Sequence, residues 1–139
     1  MRVEDIVKKK GTDVVTLTSD STISQLLSTL SKHSIGAVVV VDNDQVVGIV
    51  SERDVVRRIA ETGSVDGQVS QIMTSDLETC VNSDEIQTLA SKMTERRIRH
   101  LPVMDGDTLV AIVSIGDVVK SRLDDLEAER DHLHGFVHG

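Results

Sequence analysis

The sequence has almost no aromatic side chains: no Trp, no Tyr and a single Phe, Phe136. Proteins that grip single-stranded nucleic acid stack its bases on aromatic faces, so that mode is closed here. Any base the chain binds must lie between aliphatic side chains. A net charge of −8 also removes the basic surface on which nucleic-acid binding depends. One cysteine, Cys80, excludes a disulfide framework and a cysteine-based zinc site. The longest apolar run, Ala37 to Val41, is far short of the ~20 residues needed to cross a bilayer, so no membrane role is expected. The opening Met1-Arg2-Val3-Glu4-Asp5 carries early acids and no apolar signal core, and the expected setting is the cytoplasm.

What the sequence does have is a repeat. Shifted by 63 residues, Ile23 meets Ile86, Leu26 meets Leu89, Ile35 meets Ile98 and Asp42 meets Asp105. Val47-Gly48-Ile49-Val50-Ser51-Glu52-Arg53-Asp54-Val55-Val56 lies over Val110-Ala111-Ile112-Val113-Ser114-Ile115-Gly116-Asp117-Val118-Val119. About a third of the positions from Val14 to Arg58 are identical to their counterparts. The openers match after a slip of three, Val3 to Val7 over Val69 to Met73, with the extra residues in a turn at Lys10 to Asp13.

Each half reads as β-α-β-β-α. Strands are expected at Val14–Thr18 and Glu78–Val81, with Asp20 and Ser83 as caps of the following helices. Those helices carry Ile23, Leu26, Leu27 and Leu30, and Ile86, Leu89, Ala90 and Met93, the spacing of one buried face. The runs Ala37–Val41 and Leu101–Met104 suit strands covered on both faces. Turns at Asp42-Asn43-Asp44 and Asp105-Gly106-Asp107 lead to strands Val46–Val50 and Leu109–Val113, and helices begin at Ser51 and Ser114. The expected organisation is repeat 1 over 1–62, a linker over 63–68, repeat 2 over 69–122 and a C-terminal helical tail over 123–139. Neither half buries much alone, so the two are expected to pack sheet to sheet around one core, with paired clefts about a pseudo-twofold axis.

This tandem pattern resembles a pair of cystathionine-β-synthase (CBS) domains, the arrangement called a Bateman module. The likeness is carried by Gly48-Ile49-Val50-Ser51-Glu52-Arg53-Asp54, by Ala111-Ile112-Val113-Ser114-Ile115-Gly116-Asp117, by Ile98-Arg99-His100-Leu101-Pro102-Val103-Met104-Asp105, and by the openers at Asp5 and Gln71. It covers about residues 1 to 122. One departure is Ala111, where the pattern has Gly as at Gly48. The resemblance implies an α/β fold and a regulatory module with no catalytic residues and no metal. It also implies an adenosyl ligand in the clefts between repeats, and pairing into a disc-like homodimer.

The two Ser-x-x-Asp motifs fit two explanations: a helix capping box, and a ribose site in which a carboxylate at a helix start accepts the sugar hydroxyls. The resemblance assigns Ser114 and Asp117, and Ser51 and Asp54, to ribose. Arg97, Arg99 and His100 cluster at the start of a strand in an acidic chain, where phosphate held by a guanidinium fork would balance them. Arg53 sits inside its own signature, whereas its counterpart Gly116 has no side chain, so unequal clefts are expected, the stronger one built on Ser114 and Asp117, with Arg53 reaching across the pseudo-twofold axis to its phosphates. By the resemblance, Val14, Thr16, Leu17, Leu77, Thr79, Cys80, Ile49 and Ile112 line the base slots; plain core packing is the alternative for each.

The tail carries Val119, Leu123, Leu126 and Leu133 at helical spacing among acids, which suits either a partner helix or packing on its own module. His132, His134 and His138 lack any cysteine to support a metal site. No catalytic motif is present. The expected function is therefore an adenine-nucleotide sensor, AMP before ATP, ADP or NAD(H), acting on a separate effector protein. S-adenosylmethionine is disfavoured by the cations. The competing expectation is a ligand-free dimerisation scaffold.

Overall fold

The computed structural model describes residues 1–138. The elements run α1 (Val3–Lys10), β1 (Thr16–Leu17), α2 (Ile23–His33), β2 (Ala37–Asp42), β3 (Gln45–Ser51), α3 (Glu52–Thr62), a short 3₁₀ turn (Val69–Gln71), α4 (Ile86–Arg96), β4 (His100–Asp105), β5 (Thr108–Ser114) and α5 (Ile115–His138). This is a mixed α/β fold. β2 pairs antiparallel with β3, and β4 pairs with β5 in the same register, Val39 opposite Ile49 and Pro102 opposite Ile112. Both hairpins shift register once, at Val40/Val41 and Val103/Met104. Alternate residues of β2 point to opposite faces, and Val38, Val39 and Val40 are all fully buried, so both faces are covered as the apolar run implied.

The first strand of each repeat is shorter than expected. β1 keeps two residues, parallel to β2. Its counterpart is a single bridge, Cys80 to Val103. Cys80 N–H donates to Pro102 O at 3.0 Å, and Met104 N–H donates to Cys80 O at 2.8 Å. The next bond of a parallel ladder would come from the backbone nitrogen of residue 102, and Pro102 has no N–H to give. Its counterpart in repeat 1 is Val39, which has one.

The helix caps also fall later than expected. Thr22, not Asp20, caps α2: its hydroxyl accepts from Gln25 N–H at 3.0 Å, and Gln25 Oε1 accepts from Thr22 N–H at 2.8 Å. Asp20 is held in the preceding turn by the Thr18 hydroxyl. The N-cap of α4 is Glu85, not Ser83. The buried face of α2 is Ile23, Leu26 and Leu30, while Leu27 is exposed.

The two halves do not share one core. One apolar cluster gathers Ile86, Leu89, Met93, Leu101, Val103, Ala111, Val113 and Val118, and the other gathers Ile23, Leu26, Leu30, Val38, Val40, Val50 and Val55. The openers are exchanged between them. Val3, Ile6 and Val7 of α1 pack into the repeat 2 cluster, and Val69 packs into the repeat 1 cluster. Backbone bonds fix the exchange: Val3 N–H to Asp84 O at 2.9 Å, Val69 N–H to Ser21 O at 2.8 Å, and a bridge between Ile49 and Thr74. The halves are thus locked by two reciprocal arms.

Gly48 is required by one of those arms. A Cβ there would lie 2.7 Å from Met73 Sδ and 3.0 Å from Thr74 O. Its counterpart Ala111 faces a different neighbour, the α1 helix with Ile6 and Val7, and its methyl joins that core. The departure from the Gly pattern follows from an opener that stays helical through Lys10 on one side and one that leaves a 3₁₀ turn for the Ile49–Thr74 bridge on the other.

α5 buries Val118 and Ser121 against the body but leaves Val119, Leu123, Leu126 and Leu133 each more than half exposed. These four side chains therefore do not pack on their own module. The side chains of His134, Phe136 and His138 lie outside the described residues.

Candidate functional site

A cleft of about 230 Å³ opens where β3 runs into α3, and repeat 2 supplies its opposite wall. Ser51 and Asp54 stand at its floor. Asp54 is buried by the first turn of α3, and its Oδ2 accepts from Ser51 N–H at 2.8 Å and Ser51 Oγ–H at 3.2 Å. That is the capping geometry, and it occupies one carboxylate oxygen. The other, Oδ1, has Arg57 Nη1 at 3.6 Å and, among the described residues, accepts no hydrogen bond. Ile49 and Leu77 line the same cleft and offer aliphatic walls for a planar base.

The cations arrive from two directions. Arg53 and Arg57 rise one helical turn apart on α3. Arg97, Arg99 and His100 enter from the end of α4 and the start of β4. Arg97 closes α4 in the left-handed region at φ 55°, an uncommon conformation for a side chain of this size, and it turns the chain toward the cleft. Arg99 is anchored by its backbone, whose carbonyl accepts from Ile115 N–H at 2.8 Å. Among the described residues, no ion pair engages Arg53, Arg97 or Arg99. The acid Glu78, also at the cleft, is taken by Arg96 at 3.4 Å and Lys92 at 4.0 Å.

His100 lies between the two repeats, against Gly36. Burial and the neighbouring Lys10 ammonium hold its pKa below the ordinary imidazole value, with Asp117 and Glu52 pulling the other way. The imidazole is therefore mainly neutral at pH 7.

The second signature repeats the local geometry but not the surroundings. Asp117 Oδ2 accepts from Ser114 N–H at 2.8 Å and from Ser114 Oγ–H at 3.0 Å. It also accepts from Lys10 Nζ at 2.6 Å, and the same ammonium donates to Ile112 O at 2.8 Å. Burial raises the Asp117 pKa, but the Lys10 bond and the Ser114 N–H outweigh it and hold the carboxyl below its usual value.

The family model of the CBS domain matches residues 3–61 and 69–124. The chain belongs to the CBS-domain family. This CBS pair is 31% identical to the CBS domain-containing protein CBSX3, mitochondrial, of Arabidopsis thaliana, over 99% of this chain and 72% of that one. The solved CBS-domain containing protein of Agrobacterium tumefaciens superposes with a TM-score of 0.86 at 42% identity, covering 88% of this chain and 99% of that one. A CBS domain protein of Pyrobaculum aerophilum, solved in complex with AMP, matches with a TM-score of 0.75 at 29% identity, over 84% and 89% of the two chains. The CBS domain pair of protein MJ0100, solved with 5′-methylthioadenosine and S-adenosyl-L-methionine, matches with a TM-score of 0.77 at 26% identity, over 91% and 98%.

Within this CBS pair, the cleft brings together Ser51, Asp54, Arg53, Arg97, Arg99, His100, Ile49 and Leu77. Ser114, Asp117 and Ile112 sit apart from it, at the other signature. Arg97, Arg99 and His100, expected to serve Asp117, line the Asp54 cleft, while His100 also pairs with Ser114 along the strand and stays within electrostatic reach of Asp117. Cys80 is no slot residue: it is 2% exposed in the repeat 2 core, and burial pushes its thiol up to about 12. Val14 packs on that same core, Leu17 packs on the other, and Thr79 turns its carbonyl to Lys92 at 3.0 Å. Thr16, in β1, is exposed and absent from the cleft wall. Sequence reasoning missed Arg57, Asp76 and Glu78. Arg57 was within reach, one turn beyond Arg53; the two acids lie in a loop whose course depends on the exchanged arms. No helix among the described residues is long and apolar enough to cross a membrane.

Proposed function

We propose that this CBS pair is a non-catalytic sensor that binds an adenine nucleotide, AMP first and then ADP, ATP or NAD(H), in the cleft built on Ser51 and Asp54. The observation that carries this is the set of three guanidiniums, Arg53, Arg97 and Arg99, converging on one cleft without carboxylate partners among the described residues. A phosphate is the group that satisfies several guanidiniums at once. Asp54 Oδ1 accepts a ribose hydroxyl, and Ile49 and Leu77 clasp the base, as suits a protein without aromatic platforms. The AMP complex of the Pyrobaculum aerophilum relative supports the ligand class. The Ser51 hydroxyl and the Asp54 carboxylate in the cleft are engaged in capping α3, which favours holding a ligand over transforming it.

The ligand bridges residues of both repeats, so it shifts the balance between two arrangements of the pair to the extent that it binds one better. The readout passes to a homodimer and a separate effector protein, for which the exposed stripe of α5 offers a surface. That stripe also favours the second reading, a dimerisation scaffold that needs no ligand. The sensor reading places the module in a cytoplasmic nucleotide pool.

A thermal-shift panel tests the choice, with AMP, ADP, ATP, NAD, NADH, S-adenosylmethionine and GMP against protein shown to be ligand-free. AMP at 100 times its dissociation constant contributes about 2.7 kcal/mol, an upward shift of roughly 5 °C or more, with GMP inert. No shift with any adenine compound favours the scaffold.

A further inference from the structure

The two Asp signatures carry the same capping bonds and meet opposite company. Asp54 faces an open cleft rimmed by arginines. Asp117 is met by one ammonium, that of Lys10, which reaches it from the last turn of α1 at 2.6 Å and fixes itself again on Ile112 O at 2.8 Å. In repeat 1, Ile49 is the counterpart of Ile112 and walls the cleft. Lys10 therefore bonds the signature carboxylate and the backbone of the slot wall together. The openers explain how it gets there. At their offset of 66, Lys10 lies over Asp76, and Asp76 lines the Asp54 cleft. The exchanged arm thus delivers a carboxylate to one cleft and an ammonium to the other. The remaining cations are not repeated: Arg97, Arg99 and His100 correspond to Ser34, Gly36 and Ala37. A hollow of about 180 Å³ does touch Asp117, but it is walled by α1 and α5, with Ile6, Lys9 and Lys120, and neither Ser114 nor Ile112 shapes it.

We propose that Lys10 is the resident occupant of the second cleft: its ammonium bonds the capped oxygen of Asp117 and the Ile112 carbonyl together and fills the space beside the carboxylate that a ribose needs, so each chain takes one nucleotide, at Asp54, and the second cleft admits an uncharged adenosine-type nucleoside only when Lys10 is withdrawn. This rests on the adenine-nucleotide reading of the first cleft. Without counterparts of Arg53, Arg97 and Arg99, the second cleft lacks the guanidinium rim of the first, which sets the class of its ligand. Lys10 is exposed at a helix end, so its removal leaves the core untouched.

The test is calorimetry in two stages on the full chain. AMP is titrated first, then adenosine is titrated into the AMP-saturated protein. In the wild type, AMP binds at one per chain and adenosine gives no further heat. In Lys10→Ala, AMP still binds at one per chain and adenosine now adds one equivalent, which Asp117→Asn in the same background abolishes. Lys10→Gln serves as a second variant should Ala disturb α1, with the same expectation. AMP at two per chain in the wild type overturns the proposal. So does adenosine adding nothing in both variants, or adding as much in the wild type. Absence of AMP binding in every protein overturns the nucleotide reading itself, and this proposal with it, and is distinct from the other outcomes.

Discussion

The imidazole of His100 rests against Gly36, where a Cβ would lie 3.5 Å from its Cε1 and 3.2 Å from Glu52 Oε1. The contact joins the start of β4 to the residue before β2, across the seam between repeats. It sets the width of the cleft at the point where phosphate is expected. Gly36→Val places two methyl groups against His100 and Glu52. Its expected effect is at least a tenfold loss of AMP affinity, about 1.4 kcal/mol, with a thermal midpoint near that of the wild type. Calorimetry and a melting curve check both halves of the statement. Unchanged affinity would remove His100 from the binding surface.

The same imidazole makes binding depend on pH. Its pKa lies below 6.5 in the free protein because of burial and Lys10, with Arg99 adding to the effect and Glu52 and Asp117 opposing it. The unfolded chain therefore takes up this proton first, and His100 lowers stability as pH falls through 6.5. A bound phosphate reverses the sign by favouring the imidazolium. AMP affinity should rise between pH 8 and 6.5 with net proton uptake, read by calorimetry in buffers of different ionisation enthalpy. Adenosine should show neither, and His100→Gln should abolish the uptake for AMP. Proton uptake that survives His100→Gln would place the titrating group elsewhere.

Gly48 and Ala111 occupy equivalent positions with unequal tolerance. Gly48→Ala drives a methyl to 2.7 Å from Met73 Sδ and 3.0 Å from Thr74 O, and should destabilise the chain by about 1–3 kcal/mol in urea denaturation. Ala111→Gly, which only thins a core and loosens a strand, should cost about 1 kcal/mol or less. Equal costs would contradict the role given to the Ile49–Thr74 bridge.

The repeat made most of this fold legible. Its offset of 63 located four of the five helices and both hairpins, because those elements rest on local apolar periodicity and turn chemistry. The parts that stayed hidden depend on contacts distant in sequence. Nothing near Val3 says that its partner is the core around Leu89, so neither α1 as a helix nor the exchange of arms was visible. The short first strand of repeat 2 had a local cause, Pro102, that only a strand-by-strand count of donors exposes. For the cleft, the sequence pointed to Ser51, Arg53, Asp54 and the 97–100 cations, which the structure brings together, although the Ser51–Asp54 pair is also the cap of α3. Their pairing was not readable, because which signature faces which strand is decided by the crossing of the halves. Lys10 was hidden for the same reason: a lysine in a turn looks solvated until the arm is placed.

The most direct test of the central claim is AMP titrated into Asp54→Ala and Asp117→Ala in parallel with the wild type, each first checked by its melting curve. Loss of a charged acceptor predicts a drop of ~1.5–3 kcal/mol, roughly ten- to 150-fold, for Asp54→Ala. Asp117→Ala should stay within about twofold of the wild type. The reverse order, Asp117→Ala losing AMP while Asp54→Ala keeps it, would contradict the placement of the nucleotide at the first signature.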